Sequence, residues 1–347
     1  MEIKATQPLT SNTVVLLTDY RDCFYSTSRK RGVGMNIERL KVLFKEKGYY
    51  LVVKNFCDVN FSKESYKNIR VLYQSSEDPD LFYKDYIEDI LLGLSTQGAV
   101  LVPKFPLFRA HHNKVFMEIY RNLISNDSLK TISAHCYGTY EDFLNDIKRY
   151  ESGSFVLKPS QGSRSKGVSL SLNPNELSSA AKKASSTFSL FNIKLFISKY
   201  FFGKGSYLKV SNHRKKFIIQ EYIAGLQSDY KIVVYGKKFY VLQRFNRSSD
   251  FRASGSGNFV FPKEVSDKLL NFAENIFLSL SCPFLSVDIA EHNDRFYCLE
   301  FQFVSFGQYA IEKSSHCFTK IDKKWHKIKE NPDLEVEFVN SLTSFLN

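Results

Sequence analysis

The chain has 347 residues, 43% of them hydrophobic, with 31 Phe and 20 Tyr. That is enough apolar material for two or three packed units, and it excludes a disordered, collagen-like or small disulfide-stapled protein. Forty-eight Lys and Arg against 36 Asp and Glu leave a formal net charge of +12, a reason to expect anionic partners.

The predicted elements begin with VVLLT (Val14–Thr18), a short apolar run that ends at Asp19 and suits a buried strand. Ile37, Leu40, Leu43 and Phe44 share one helical face over 36–47, with Asn36 placed to cap it and Gly48 to end it. Strands are predicted at YYLVV (Tyr49–Val53) and IRVLY (Ile69–Tyr73), a long helix over 78–98, and a strand at AVLVP (Ala99–Pro103). This β-α-β order implies a small parallel sheet covered by helices. A polar, helix-prone stretch follows over 111–150.

From Ser154 the pattern becomes strand-rich: FVLKP, GVSLSL, FIIQEYI, YKIVVYG and KFYVLQRF. Between two of these lies 177–219, with nine Lys and Arg, no acidic residue and many Phe, Leu and Ile. It reads as a subdomain core with a solvated basic rim, or as a contact to an anionic membrane or lipid-linked substrate. Nucleic acid is the weakest reading, because no binding module is visible. The remainder predicts a helix over 266–280, strands LSVDIA and FYCLEFQF, and a last amphipathic helix over 334–346.

No apolar run approaches the ~20 residues of a membrane span, and MEIKATQPLTSNTVVLL lacks a basic n-region and a cleavage site. The six cysteines show no C-x-x-C pair and the seven histidines no zinc-like cluster. The expectation is a cytoplasmic protein without a structural metal, at most peripheral at the inner face of the membrane.

Three stretches carry chemistry. In FVLKPSQGSRSKGVSL a strand delivers Lys158 into a Gly/Ser loop. Such a loop can wrap phosphate oxygens with its backbone N–H groups, or it can be a flexible hairpin. In FIIQEYIAGLQSDYKIVVYGKKFYVLQRF, Asp229 lies just past a strand, as acids that bind ribose hydroxyls do, and Arg244, Arg247 and Arg252 follow. Guanidinium forks suit phosphate or carboxylate, although a solvated hairpin would look similar. In LSVDIAEHNDRFYCLEFQF, Glu300 and Gln302 are two apart and share one face, with Asp288 on the paired strand. Two carboxylates and an amide form a hard-cation site, or else edge-strand acids facing water.

In this order the stretches resemble the ATP-grasp superfamily of carboxylate–amine ligases, most nearly its ribosomal-S6-modification-like branch, over 109–307. The resemblance implies an α/β and α+β ATP-grasp fold: an N-terminal β-α-β domain (1–108), a central lobe (109–225) holding the basic insertion 177–219, and a C-terminal lobe (226–347). It implies ATP and two magnesium ions as cofactors. Lys114 and Lys158 match phosphate-contacting lysines, and Gly162, Ser163 and Gly167 match the loop that closes over the phosphates. Gln220, Glu221, Tyr222 and Ile223 match the adenine-reading strand, and Asp229 the position near ribose. Arg244 and Arg252 match arginines on the transferred phosphoryl group, and with Lys158 are the implied catalytic residues. Asp288, Glu300 and Gln302 match the magnesium ligands. Gln302 stands where the family usually has Asn, and Lys231 where it has Arg.

The implied reaction joins a small-molecule or peptide carboxylate to an amine through an acyl-phosphate, within the family's range of surface-glycan and peptide modification. The alternatives are a phosphotransferase acting on a hydroxyl or amide, and a non-catalytic nucleotide-binding scaffold at a membrane. Nothing in the sequence specifies the oligomeric state.

Overall fold

The computed structural model describes all residues except 1–11, 26–33, 77, 79–80, 163–164, 188–210, 248–249, 305 and 308. The first unit is a parallel sheet of β1 (Thr13–Thr18), β2 (Tyr50–Asn55), β3 (Arg70–Leu72) and β4 (Val100–Val102), in the order β2-β1-β3-β4. β1 is buried at all six positions, which explains its unbroken apolar run: both faces of the sheet are covered. α1 (Ile37–Glu46) starts at Asn36, whose side chain accepts from the Arg39 N–H at 3.0 Å. α2 (Phe82–Thr96) is shorter than predicted, because a turn from Leu81 N–H to the Asp78 carbonyl precedes it.

The central lobe begins with α3 (Phe105–His112) and α4 (Lys114–Leu123). Its sheet contains β5 (Ala134–Tyr137), β6 (Phe155–Pro159), β7 (Ser169–Ser171) and β8 (Phe217–Glu221), antiparallel in the order β5-β8-β6-β7. α5 (Tyr140–Asn145) and α6 (Pro174–Ser185) cover one face. The helix-prone reading of 111–150 is corrected at β5. Four residues, of which only Tyr137 is buried, form a strand there because β8, some 80 residues later, supplies the pairing. The basic segment 177–219 is described only at its two ends. Leu177 and Ala181 on α6 and Phe217 and Ile219 on β8 belong to the lobe's own core, while 188–210 lies outside the described residues.

The third sheet contains β9 (Ser228–Tyr235), β10 (Lys238–Phe245), β12 (Phe284–His292), β13 (Arg295–Gln302), β14 (His316–Ile321) and β15 (Lys324–Lys329). Their order is β13-β12-β9-β10-β14-β15, with β11 (Phe259–Val260) beside β10. Asn293 and Asp294, both at positive φ, make the two-residue turn between β12 and β13. The β14–β15 hairpin has no counterpart in the predicted elements, since five of the six β15 positions are exposed and no alternation marks it.

One face of this sheet packs Ile232, Val234, Val287 and Ile289 against α7 (Asp267–Leu280) and shares a core with Val15, Leu17 and Val71 of the first sheet. The other face places Val233, Tyr235, Tyr240 and Phe284 in a core with Val14 and Leu16, closed by Leu334, Phe338 and Leu342 of α9 (Leu334–Leu346). α8 (Tyr309–Glu312) is a single turn between β13 and β14. Among the described residues no helix is long and apolar enough to cross a membrane.

Candidate active site

A cleft of about 840 Å³ lies between the central lobe, the third sheet and the N-terminal unit. Its first wall is the end of β6 and the loop after it. Asn113, 3% exposed, caps α4 by accepting from Phe116 N–H (3.1 Å), and its Oδ1 also accepts from Ser160 Oγ (2.8 Å). The Lys114 N–H donates to the Ser160 carbonyl at 2.8 Å, so the helix start and the loop root are fastened together. Lys114 Nζ then reaches the Gly162 carbonyl at 3.0 Å. Gly167 sits at φ +75°, and a Cβ there would stand 2.8 Å from the Pro159 ring, so the loop needs glycine at that point. Lys158 Nζ donates to Gln220 Oε1 at 2.5 Å. Burial pulls the Lys158 ammonium below the ordinary lysine range, against the pull of Glu300 and Glu118.

The second wall is the polar end of the third sheet. Register puts Asp288 directly opposite Glu300 and opposite Lys231, and Asp229 opposite Arg244. Ser286 pairs with Gln302, so Glu300 and Gln302 do share a face. Arg244 forks onto Asp229 (2.6 and 2.8 Å) and also reaches Asp288 Oδ2 at 2.8 Å. Lys231 donates to Ser286 Oγ at 2.6 Å and stands 3.7 Å from Asp288 Oδ1. Burial opposes the charge of Asp288, but Arg244 and Lys231 outweigh it and hold the carboxyl below the usual range. Burial pushes Asp229 up to about 6 despite Arg244, with the Asp288 charge adding to the push.

Of the predicted residues, Lys114, Lys158, Gly162, Gln220, Glu221, Tyr222, Ile223, Asp229, Arg244, Arg252, Asp288, Glu300 and Gln302 all line this cleft. Gly167 shapes the loop without lining it, and Ser163 lies outside the described residues. Arg252 is held by Asp250 (2.7 Å) and points toward the Ser165 carbonyl of the opposite wall. Four of these residues already have partners within the protein. Asp229, 7% exposed and tied to Arg244, is a support for that arginine rather than an open acid. The strand ends at Glu221, and the N–H groups of Glu221 and Tyr222 are bonded to Ser133 and Ser154. Gln220, 3% exposed, offers its side chain to Lys158.

Sequence reading missed Asn113, Ser160 and Lys231 as supports. It also missed Glu118, 2% exposed and 3.2 Å from Arg121, whose charge acts on Lys158. The Asn113-Lys114 pair at a helix start was the one local signal for the first two.

The donor set suits a hard cation. Asp288 Oδ1 is buried with no hydrogen-bond partner, Glu300 faces it, and Gln302 adds an amide oxygen. Among the described residues no three His, Cys, Asp or Glu side chains cluster to hold a metal by themselves. The cation this site fits is therefore one that completes its shell with phosphate oxygens and water, as magnesium does.

No protein-family model and no curated protein matches the chain. Solved structures do. D-cycloserine synthetase DcsG superposes with a TM-score of 0.54 at 12% identity, over 96% of this chain and 100% of that one. A RimK domain ATP-grasp protein from Sphaerobacter thermophilus gives 0.51 at 12%, over 96% and 99%. The ATP-grasp ligase PsnB, complexed with its precursor peptide and AMPPNP, gives 0.51 at 12%, over 99% and 100%. The chain has the ATP-grasp fold.

Proposed function

We propose that the protein is an ATP- and magnesium-dependent ligase that joins a carboxylate to an amine. The observation that carries this reading is the facing of two walls in one cleft: Lys114, Lys158 and the glycine loop on one side, Arg244, Asp288 and Glu300 on the other. The lysines and arginines bind and orient the triphosphate, and Arg252 meets the γ-phosphoryl end from the second wall. Asp288, Glu300 and Gln302 hold magnesium, which when bound neutralises phosphate oxygens. The substrate carboxylate attacks the γ-phosphorus, ADP leaves, and the amine then displaces inorganic phosphate from the acyl carbon. Fixed charge and positioning supply most of the acceleration in such transfers.

Gln220 holds the Lys158 ammonium, and the charges of Glu300 and Glu118 oppose the effect of burial on it. The solved ATP-grasp ligases include one bound to a precursor peptide, which supports peptide carboxylates as first acids to screen, alongside surface-glycan acids. The nine cations of 177–219 support an anionic or lipid-linked acid.

The test is a thermal-shift titration with AMPPNP, with and without magnesium, on wild type and Glu300→Ala. The expected result is a rise in melting temperature that needs magnesium and shrinks in the variant. Hydroxylamine then traps a carboxylate acceptor as a hydroxamate. No shift with either condition in wild type ends the ligase reading.

A further inference from the structure

Part of the cleft wall is left unused by the nucleotide reading. Asp78, Leu81 and Lys84 come from the N-terminal unit, after β3, and His111 and His112 from the end of α3, after β4. They sit beyond the carboxyl ends of a parallel sheet, where open α/β sheets take ligands.

Asp78 Oδ2 accepts from the Tyr83 N–H at 3.1 Å, whereas Oδ1 is buried with no hydrogen-bond partner. Burial opposes its charge, yet Ser76, the Tyr83 N–H and the Lys84 ammonium outweigh that and keep the carboxyl ionised. His112 presents a second acceptor. Its Nδ1 lies 3.1 Å from the Phe108 carbonyl, which can only accept, so Nδ1 carries the proton and Nε2 a lone pair. Glu88 stands 3.8 Å from Nε2 and is itself an acceptor already held by Arg109. Burial, with the charges of Lys84, His111 and Arg109, pulls the ring down to about 3, so it is neutral at any physiological pH.

One wall therefore carries a carboxylate oxygen with no hydrogen-bond partner and an imidazole nitrogen that, among the described residues, meets no donor. A ligand seated there has to bring N–H groups. Resting on the ligase reading, we propose that Asp78 and His112 form the subsite that binds the amine substrate. A primary amine supplies donors to both acceptors. Water or an alcohol satisfies them less completely while leaving lone pairs against a carboxylate, and a site built for donors rejects such analogues strongly. Lys84 acts on Asp78 and His112 alike.

The experiment uses the full chain saturated with AMPPNP and magnesium, with glycinamide as the amine probe and glycolamide as its hydroxyl counterpart, followed by saturation-transfer NMR. Nucleotide-induced thermal shifts are read on the same samples. Glycinamide is expected to bind wild type at least tenfold more tightly than glycolamide. Asp78→Asn and His112→Phe should each weaken it about tenfold without changing the nucleotide shift, and His112→Gln should restore part of the loss. Equal binding of both probes, or full glycinamide binding in both Asp78→Asn and His112→Phe with the nucleotide shift intact, overturns the subsite. Absence of any nucleotide shift in wild type instead removes the ligase reading beneath it.

Discussion

The two main walls of the cleft are built on different foundations. The lysine-and-loop wall stands on a small core of its own, centred on Tyr137, Phe143, Leu157, Phe217 and Ile219. The acid wall stands on the third sheet, whose two faces are continuous with the cores of the N-terminal sheet. Its charges are locked together: Arg244 is bound by Asp229 and Asp288 at once. The comparison teaches a division of labour. The acids hold a fixed geometry, and the loop side can adjust to what lies between them, because fewer buried contacts tie it to the rest.

The largest break in that contrast should come from Arg244→Ala. It leaves two buried carboxylates without their shared partner, which costs about 3–5 kcal/mol. Because the acid wall is part of the common core, urea unfolding should show the whole loss as one lowered midpoint. A midpoint within error of wild type would mean that this wall is no more rigid than the other.

Acid should sharpen the contrast next. His112 has a folded pKa of about 3 against an ordinary value of 6.5, so below 6.5 the unfolded chain binds the proton and the folded chain does not. Stability is then lost as pH falls through that window, by roughly 1 kcal/mol per pH unit. α3 packs Leu107 and Phe108 into the common core, so the loss should again be global. Chemical denaturation between pH 7 and 5 reads it, and His112→Phe should flatten the slope.

The smallest effect on stability should come from Gly167→Ala, which meets a positive φ and the Pro159 ring at a cost of about 1–2 kcal/mol. The strain falls in the loop wall, so AMPPNP affinity should drop several-fold while the urea midpoint falls by less than half the Arg244→Ala shift. Calorimetry on the variant measures both. A midpoint shift as large as that of Arg244→Ala would show that the loop wall is not the more independent of the two.

Much of this was legible because the chemistry is local. FVLKP and KFYVLQRF are strands over the predicted residues, and the two-residue spacing of Glu300 and Gln302 does place them on one face. What was not legible depended on distant pairing. β5 is a strand because β8 binds it, and Asp229 is a closed acid because Arg244 lies across the ladder from it. Asp78 and His112 are far apart in the chain and carry no motif. They come together only as lining residues of one cleft.

The closing of the core by α9 has a consequence for the order of events during synthesis. Val14 and Leu16 of β1 are covered by Phe338 and Leu342, and α1 is tied to the same helix through Arg39–Asp333 (2.8 Å) and the Asn36 N–H to Glu335 (2.9 Å). β1 is thus completed by a helix that leaves the ribosome roughly 320 residues later. At about 5–20 residues per second it waits on the order of tens of seconds with one face uncovered. The central lobe, closed by residues near one another in the chain, can be finished long before the sheet that precedes it.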